Sequence, residues 1–153
     1  MTNQTTAAFT PADRDAAILT SRPLVETAFL PPTADGPTVG DFLHRTLRPV
    51  LKLQNELLLV LVADFIQEHH IPFLTASVVK QQRVVAELLT RNVKLRYLLV
   101  GTVVGLFTQS ELAFYRPHRA ELNRRLLELA IRRVQDHVTA LASLLAEGTA
   151  TGE

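Results

Sequence analysis

The sequence predicts an all-α protein: an antiparallel bundle of three long helices over about 38–70, 75–107 and 109–147, preceded by an N-terminal extended arm carrying a short helix. Three observations carry that reading. Apolar residues recur at helical spacing from Thr38 almost to the C-terminus, capping sequences mark the helix starts, and no alternating strand-like stretch competes. The helical bundle domain is expected over 38–147, with 1–37 as the arm and 148–153 as a disordered tail.

The arm is rich in breakers: Pro11, Pro23, Pro31, Pro32, Pro37 and Gly36. Within it, Thr10 can cap a short helix with Pro11 in the first turn and Asp13 three residues on. Leu24, Val25, Phe29 and Leu30 then offer apolar side chains to a groove. The sequence leaves open whether the arm packs on its own chain or on a neighbour.

The first long helix opens at Thr38 with Asp41 at the third helical position. Its apolar row includes Val39, Leu43, Leu47, Leu51, Leu58, Leu61 and Phe65, and Gln54 interrupts it. Pro49 should kink or divide the helix, since it has no N–H and its ring crowds the preceding turn. The "HHIP" segment, 69–72, stops it.

The second helix keeps its period through Val78, Val85, Leu88, Leu95, Leu99 and Leu106. Residues 97–107 are apolar nearly all round, which marks a helix covered on most sides. The third helix opens with Thr108 and Glu111 in capping-box spacing and carries Leu112, Tyr115, Leu122, Leu126, Ala130, Val134 and Leu141. Pro117 should kink it, and Gly148 should end it. "FTQ" leaves almost no loop, so the chain reverses either at 107–108 or at 115–118.

Folding the chain back near 72 and near 107–108 sets Asn92 opposite Asn123 and opposite the Gln54–Asn55 pair. The expectation is a polar layer of Asn55, Asn92 and Asn123, because buried amides need partners and one satisfied layer fixes register. The same geometry places Gly101 and Gly105 opposite Phe114. Two glycines four apart can admit a close backbone or a bulky ring, so Gly101, Gly105 and Phe114 are expected to form a close helix contact.

Composition limits the chemistry. There is no cysteine, which removes disulfides, thiolate nucleophiles and cysteine-ligated zinc. The N-terminus shows neither a basic nor an apolar leader region. The longest charge-free run, 97–110, falls short of the ~20 apolar residues that a bilayer span requires, so no membrane span is expected and a cytoplasmic location fits. His44, His69, His70, His118 and His137 lack the Glu-x-x-His pattern of di-metal bundles. Asp41 with His44, and His118 with Glu121, have the spacing but no carboxylate partners, so no metal and no other cofactor is expected. Neither a nucleophile elbow nor a phosphate loop is present. The chain is therefore read as not being an enzyme.

Two features point to partners. The hydrophobic fraction is 47% against 20% charged, with mean hydropathy +0.15. That is more apolar surface than a slender bundle covers alone. The expected function is a non-enzymatic helical interaction or assembly protein, acting as a homo-oligomer or on a protein partner. The alternative is nucleic-acid association through the third helix, where Arg124, Arg125, Arg132 and Arg133 form a possible anionic-ligand face. A net charge of +1 and the helical spacing of Glu121 to Arg125 and Glu128 to Arg132 argue for a self-paired, solvated face instead.

Overall fold

A computed structural model of the chain describes residues 7–23 and 37–150. Leu24, Val25, Phe29 and Leu30, and the end of the expected tail, lie outside the described residues. Among those described, all regular structure is helical.

The short helix of the arm is α1, Pro11–Ser21. Thr10 and Asp13 form a capping box, in which Asp13 N donates to Thr10 Oγ1 at 3.2 Å and Thr10 N donates to Asp13 Oδ2 at 2.8 Å. Thr38 and Asp41 repeat that device at α2, Val39–Phe42.

The helix then widens into a π turn, Leu43–Leu47, and returns to α geometry as α3, Arg48–Leu53. Pro49 has no N–H to give the ladder, and the turn just before it is the one that widens. Gln54 (φ −91°, ψ 4°) separates α3 from α4, Asn55–Glu68. Hydrogen bonds Gln54 N to Val50 O and Leu58 N to Gln54 O keep the chain on course through it. His69 closes α4 and His70 takes φ 51°, the left-handed conformation that turns the chain out of a helix.

The second stretch is divided where none was expected. It forms α5, Val78–Arg91, and α6, Val93–Val104, with Asn92 extended between them at φ −83°, ψ 107°. The Asn92 side chain accepts from Leu95 N at 2.9 Å, so the residue caps α6 instead of continuing one helix. Thr108 and Glu111 form the third capping box, opening α7, Gln109–Tyr115. The chain then runs through a 3-10 turn at Arg116–His118, centred on Pro117, into α8, Arg119–Asp136, and after His137 into α9, Val138–Ala150. Tyr115, Arg116 and Arg119 keep helical dihedrals through the 3-10 turn, and His118 departs from them at φ −107°, ψ 17°. Phe107 and Tyr115 rings meet at 5.5 Å across the 105–108 turn. Gly148 does not end the last helix, which continues to Ala150. A Cβ there would meet the end of the exposed Gln67 side chain, Oε1 at 2.8 Å, which can swing aside, so space alone does not require glycine.

The core is a single cluster that includes Leu47, Leu51, Leu58, Val62, Leu89, Leu99, Leu122, Leu126 and Leu141. α5 packs along α8 and α4 along α9, while α6 touches both α4 and α8. Polar side chains also tie these elements together. Gln82 Nε2 donates to Gln135 O at 3.3 Å and Gln135 Nε2 returns a bond to Gln82 O at 2.9 Å, joining α5 to α8. Gln54 Nε2 reaches Thr102 O at 3.0 Å, and buried Gln81 donates to Phe73 O at 3.0 Å.

Candidate functional site

Three regions bear on function: the turn after α6, the outer face of α6, and a basic cavity between α3 and α8. The turn is the most heavily bonded. A helix ends with carbonyls that lack partners, and here two arginines of α1 and its C-cap supply them. Arg14 donates to Gly105 O at 2.7 Å and to Phe107 O at 2.9 Å, and Arg22 donates to Leu106 O at 2.9 Å. Asp15 accepts from the Gln109 amide at 3.2 Å, at the start of α7. Ile18 is the buried side chain of α1. α1 therefore clasps the α6–α7 turn of its own chain.

Under the clasp lies a paired charge. Arg22 and Glu111 bond through both nitrogens and both oxygens, at 2.5 and 2.6 Å, with only 9% and 15% of their side chains exposed. Thr46 Oγ1 donates to Glu111 Oε2 at 2.7 Å, and the Thr108 amide donates to Oε1 at 2.8 Å. Burial by itself would raise the Glu111 carboxyl. Hydrogen bonds from Arg22, the Thr108 amide and Thr46, together with the Arg22 charge, outweigh that and hold it below the usual carboxylate range. Thr46 stands on the π turn, so that turn carries the third group that donates to Glu111. Beside it, Phe42 meets Phe107 edge-on at 5.3 Å and stacks on Phe114 at 5.1 Å.

The expected close contact of Gly101 and Gly105 with Phe114 is not what the structure forms. Gly101 is exposed, and a Cβ built there would meet nothing within 4 Å. Gly105 is exposed too, as the residue that closes α6. Phe114 instead stacks between Phe42 and His118. The glycines share the solvent side of α6 with Val93, Tyr97 and Leu98, which are 57%, 71% and 48% exposed. On α4, which packs against α6, Leu57 and Val60 are exposed as well. Lys94 is the charged residue in the middle of that α6 face.

The three asparagines of the expected polar layer have separate partners. Asn92 caps α6, Asn123 accepts from the Tyr115 hydroxyl, and Asn55 sits 3.5 Å from Arg133 Nη1. No hydrogen bond joins any two of them, because the break at Asn92 turns that amide toward its own helix.

The expected anionic-ligand face divides. Arg124 pairs with Glu128 at 2.8 Å, and Arg125 is exposed. Arg132 and Arg133 line a cavity of about 250 Å³ together with Arg48, Leu51, Leu129, Asp136 and His137. Burial pushes the Arg133 guanidinium below its ordinary value, the Arg48 charge pushes the same way, and Asp136 opposes them.

Among the described residues, no three His, Asp or Glu side chains come together as a metal site. His118 Nδ1 lies 2.8 Å from Phe114 O and Glu121 is exposed. No helix of the described residues is long and apolar enough to cross a membrane. Compared with known proteins, the chain matches no family model, no curated protein and no solved structure.

Arg14, Arg22, Thr46 and Arg48 were not singled out by the sequence. Each acts on residues tens of positions away, as Arg14 does on Phe107, so local spacing holds no sign of them. Glu111 was legible as a capping residue, and its second role facing Arg22 was not.

Proposed function

We propose that the protein is a non-enzymatic helical assembly module that self-associates through the outer face of α6 and the adjoining side of α4. The observation that supports it is the exposure of Val93, Tyr97 and Leu98 on a helix whose charged residues are Lys94, within that face, and half-buried Arg96 at its edge. Single exposed apolar residues are ordinary, whereas a row on one face marks a contact surface. Gly101 belongs to this reading: without a side chain in the row, a second backbone can come close.

In the finer architecture proposed here, the chain forms three rods, 39–68, 78–104 and 109–150, each an antiparallel neighbour of the next. The rods bend at Pro49 and Pro117. The reciprocal Gln82–Gln135 bonds and the Gln54–Thr102 bond support that arrangement.

The test is sedimentation of the full chain across micromolar concentrations. The expected result is a concentration-dependent dimer or larger species, reduced to monomer by Tyr97→Glu with Leu98→Glu and unaffected by Arg83→Glu on the exposed side of α5. A wild-type chain that stays monomeric throughout removes the reading. A cytoplasmic location is part of the same proposal.

A further inference from the structure

The cavity between α3 and α8 holds an unbalanced charge. Arg48, Arg132 and Arg133 line it against one carboxylate, Asp136, with His137 on the rim. Among the described residues no ion pair joins any of the three guanidiniums: Glu128, one turn from Arg132, pairs with Arg124 instead. Arg48 Nε is buried with no hydrogen-bond partner, and Arg133 has only a long contact to Asn55. Three guanidiniums around one cavity with a single carboxylate leave an excess of like charge, which an anionic acceptor in the cavity would offset.

Guanidinium stays charged in any protein setting and presents its donors in a planar fork that fits tetrahedral and carboxylate oxyanions. The His137 ring adds a further polar edge. Its Nδ1 donates to Arg133 O at 2.6 Å, which fixes the ring orientation; Nε2 of the neutral ring is an acceptor, so the donors to an anion are the three guanidiniums. Buried Leu51 and half-buried Leu129 give the cavity an apolar side. At about 250 Å³ it is smaller than the ~300–1,000 Å³ of pockets for drug-sized ligands, which favours a compact anion over a nucleotide.

We propose that this cavity binds a phosphoryl dianion, carried by inorganic phosphate or by a small phosphate monoester, with Arg48, Arg132 and Arg133 as its ligands. The site differs from the α6 face and does not depend on self-association. It also differs from a nucleic-acid stripe along α8, since Arg48 comes from another element and Arg124 and Arg125 take no part.

The test is thermal unfolding and titration calorimetry of the full chain in phosphate-free buffer, with inorganic phosphate, glycerol 1-phosphate and, at matched ionic strength, sodium chloride. The expected result is a saturable rise in Tm with either phosphoryl probe beyond that in chloride. Tighter binding of glycerol 1-phosphate would assign an organic ligand, and equal binding would assign free phosphate. Arg48→Gln and Arg133→Gln should each weaken the apparent Kd about tenfold or more, the worth of one charge-assisted bond. Their Tm without ligand should hold or rise, because a like-charge contact is removed. If either variant loses Tm without ligand, exposed Arg132→Gln takes its place, with the same loss of affinity expected. Arg125→Gln should change nothing. The proposal is overturned if neither probe exceeds chloride or if the variants keep the wild-type response.

Discussion

α5 and α6 are consecutive helices separated by a single residue, and they solve different problems. α5 buries Gln81, Val85 and Leu89 and, beyond exposed Val78 and Val79 in its first turn, turns Lys80, Arg83, Glu87 and Arg91 outward. α6 buries Leu95, Leu99 and Val103 at the same spacing, but turns Val93, Tyr97, Leu98 and Gly101 outward around Lys94. The buried rows are equivalent, so the core does not explain the difference. What differs is the exterior, together with the support each end receives. α5 is tied to α8 by two glutamine amides, whereas the C-terminal carbonyls beyond α6 are held by the arginines of α1. A helix with apolar residues on its outer face as well as its inner one is not, for that reason, buried on every side.

The largest expected effect separates neighbours within α6. Leu99→Ala should destabilise the fold by about 2–5 kcal/mol, as truncation in a closed core does, whereas Leu98→Ala should stay within about 0.5 kcal/mol. Denaturant unfolding of both variants at a concentration where the chain is monomeric measures the contrast. Equal losses would mean that both sides of α6 are covered, and the distinction from α5 would vanish.

Next comes the clasp. Glu111→Ala leaves Arg22 without its carboxylate and should cost up to about 3 kcal/mol, toward the lower end of the range for breaking a buried pair because both groups keep some exposure. The linkage to pH has a definite sign. The folded carboxyl titrates below the unfolded one, so its contribution is fully present above the unfolded value of about 4.3 and is lost as pH falls through the folded value. Stability measured from pH 6 downward should fall less steeply in Glu111→Gln than in the wild type. Parallel curves would deny the pair its role.

Smaller effects probe the joint and the exterior. Asn92→Ala removes the cap of α6 and should lower stability by about 1 kcal/mol; no change would mean that α5 and α6 can run on as one helix without loss. Gly101→Ala should raise the stability of the monomer, by up to about 1 kcal/mol, because its Cβ would meet open space and glycine is a poor helix former. A loss instead would restore the close contact that the sequence suggested. Comparing Gly101→Ala in monomer and assembled samples sharpens the point, since a Cβ in the self-association face should weaken assembly while stabilising the fold.

The sequence by itself determined that the chain is helical and where α1, α2 and α7 start. Thr10 with Asp13, Thr38 with Asp41, and Thr108 with Glu111 are complete capping boxes, formed within four residues and so legible without a fold. Buried rows such as Leu122, Leu126 and Ala130 follow from helical spacing alone. What the sequence could not assign was the second role of a residue with two possible ones. Asn92 could bridge helices or cap one, and only its backbone in the fold selects the cap. Gly101 sits in an apolar run that reads the same whether it faces a neighbour or solvent. Arg22 meets Glu111 across 89 positions, and Arg48 meets Arg133 across two elements. Local energies set caps and periodicity, whereas pairings over such distances depend on where the whole chain closes, and that is decided by packing.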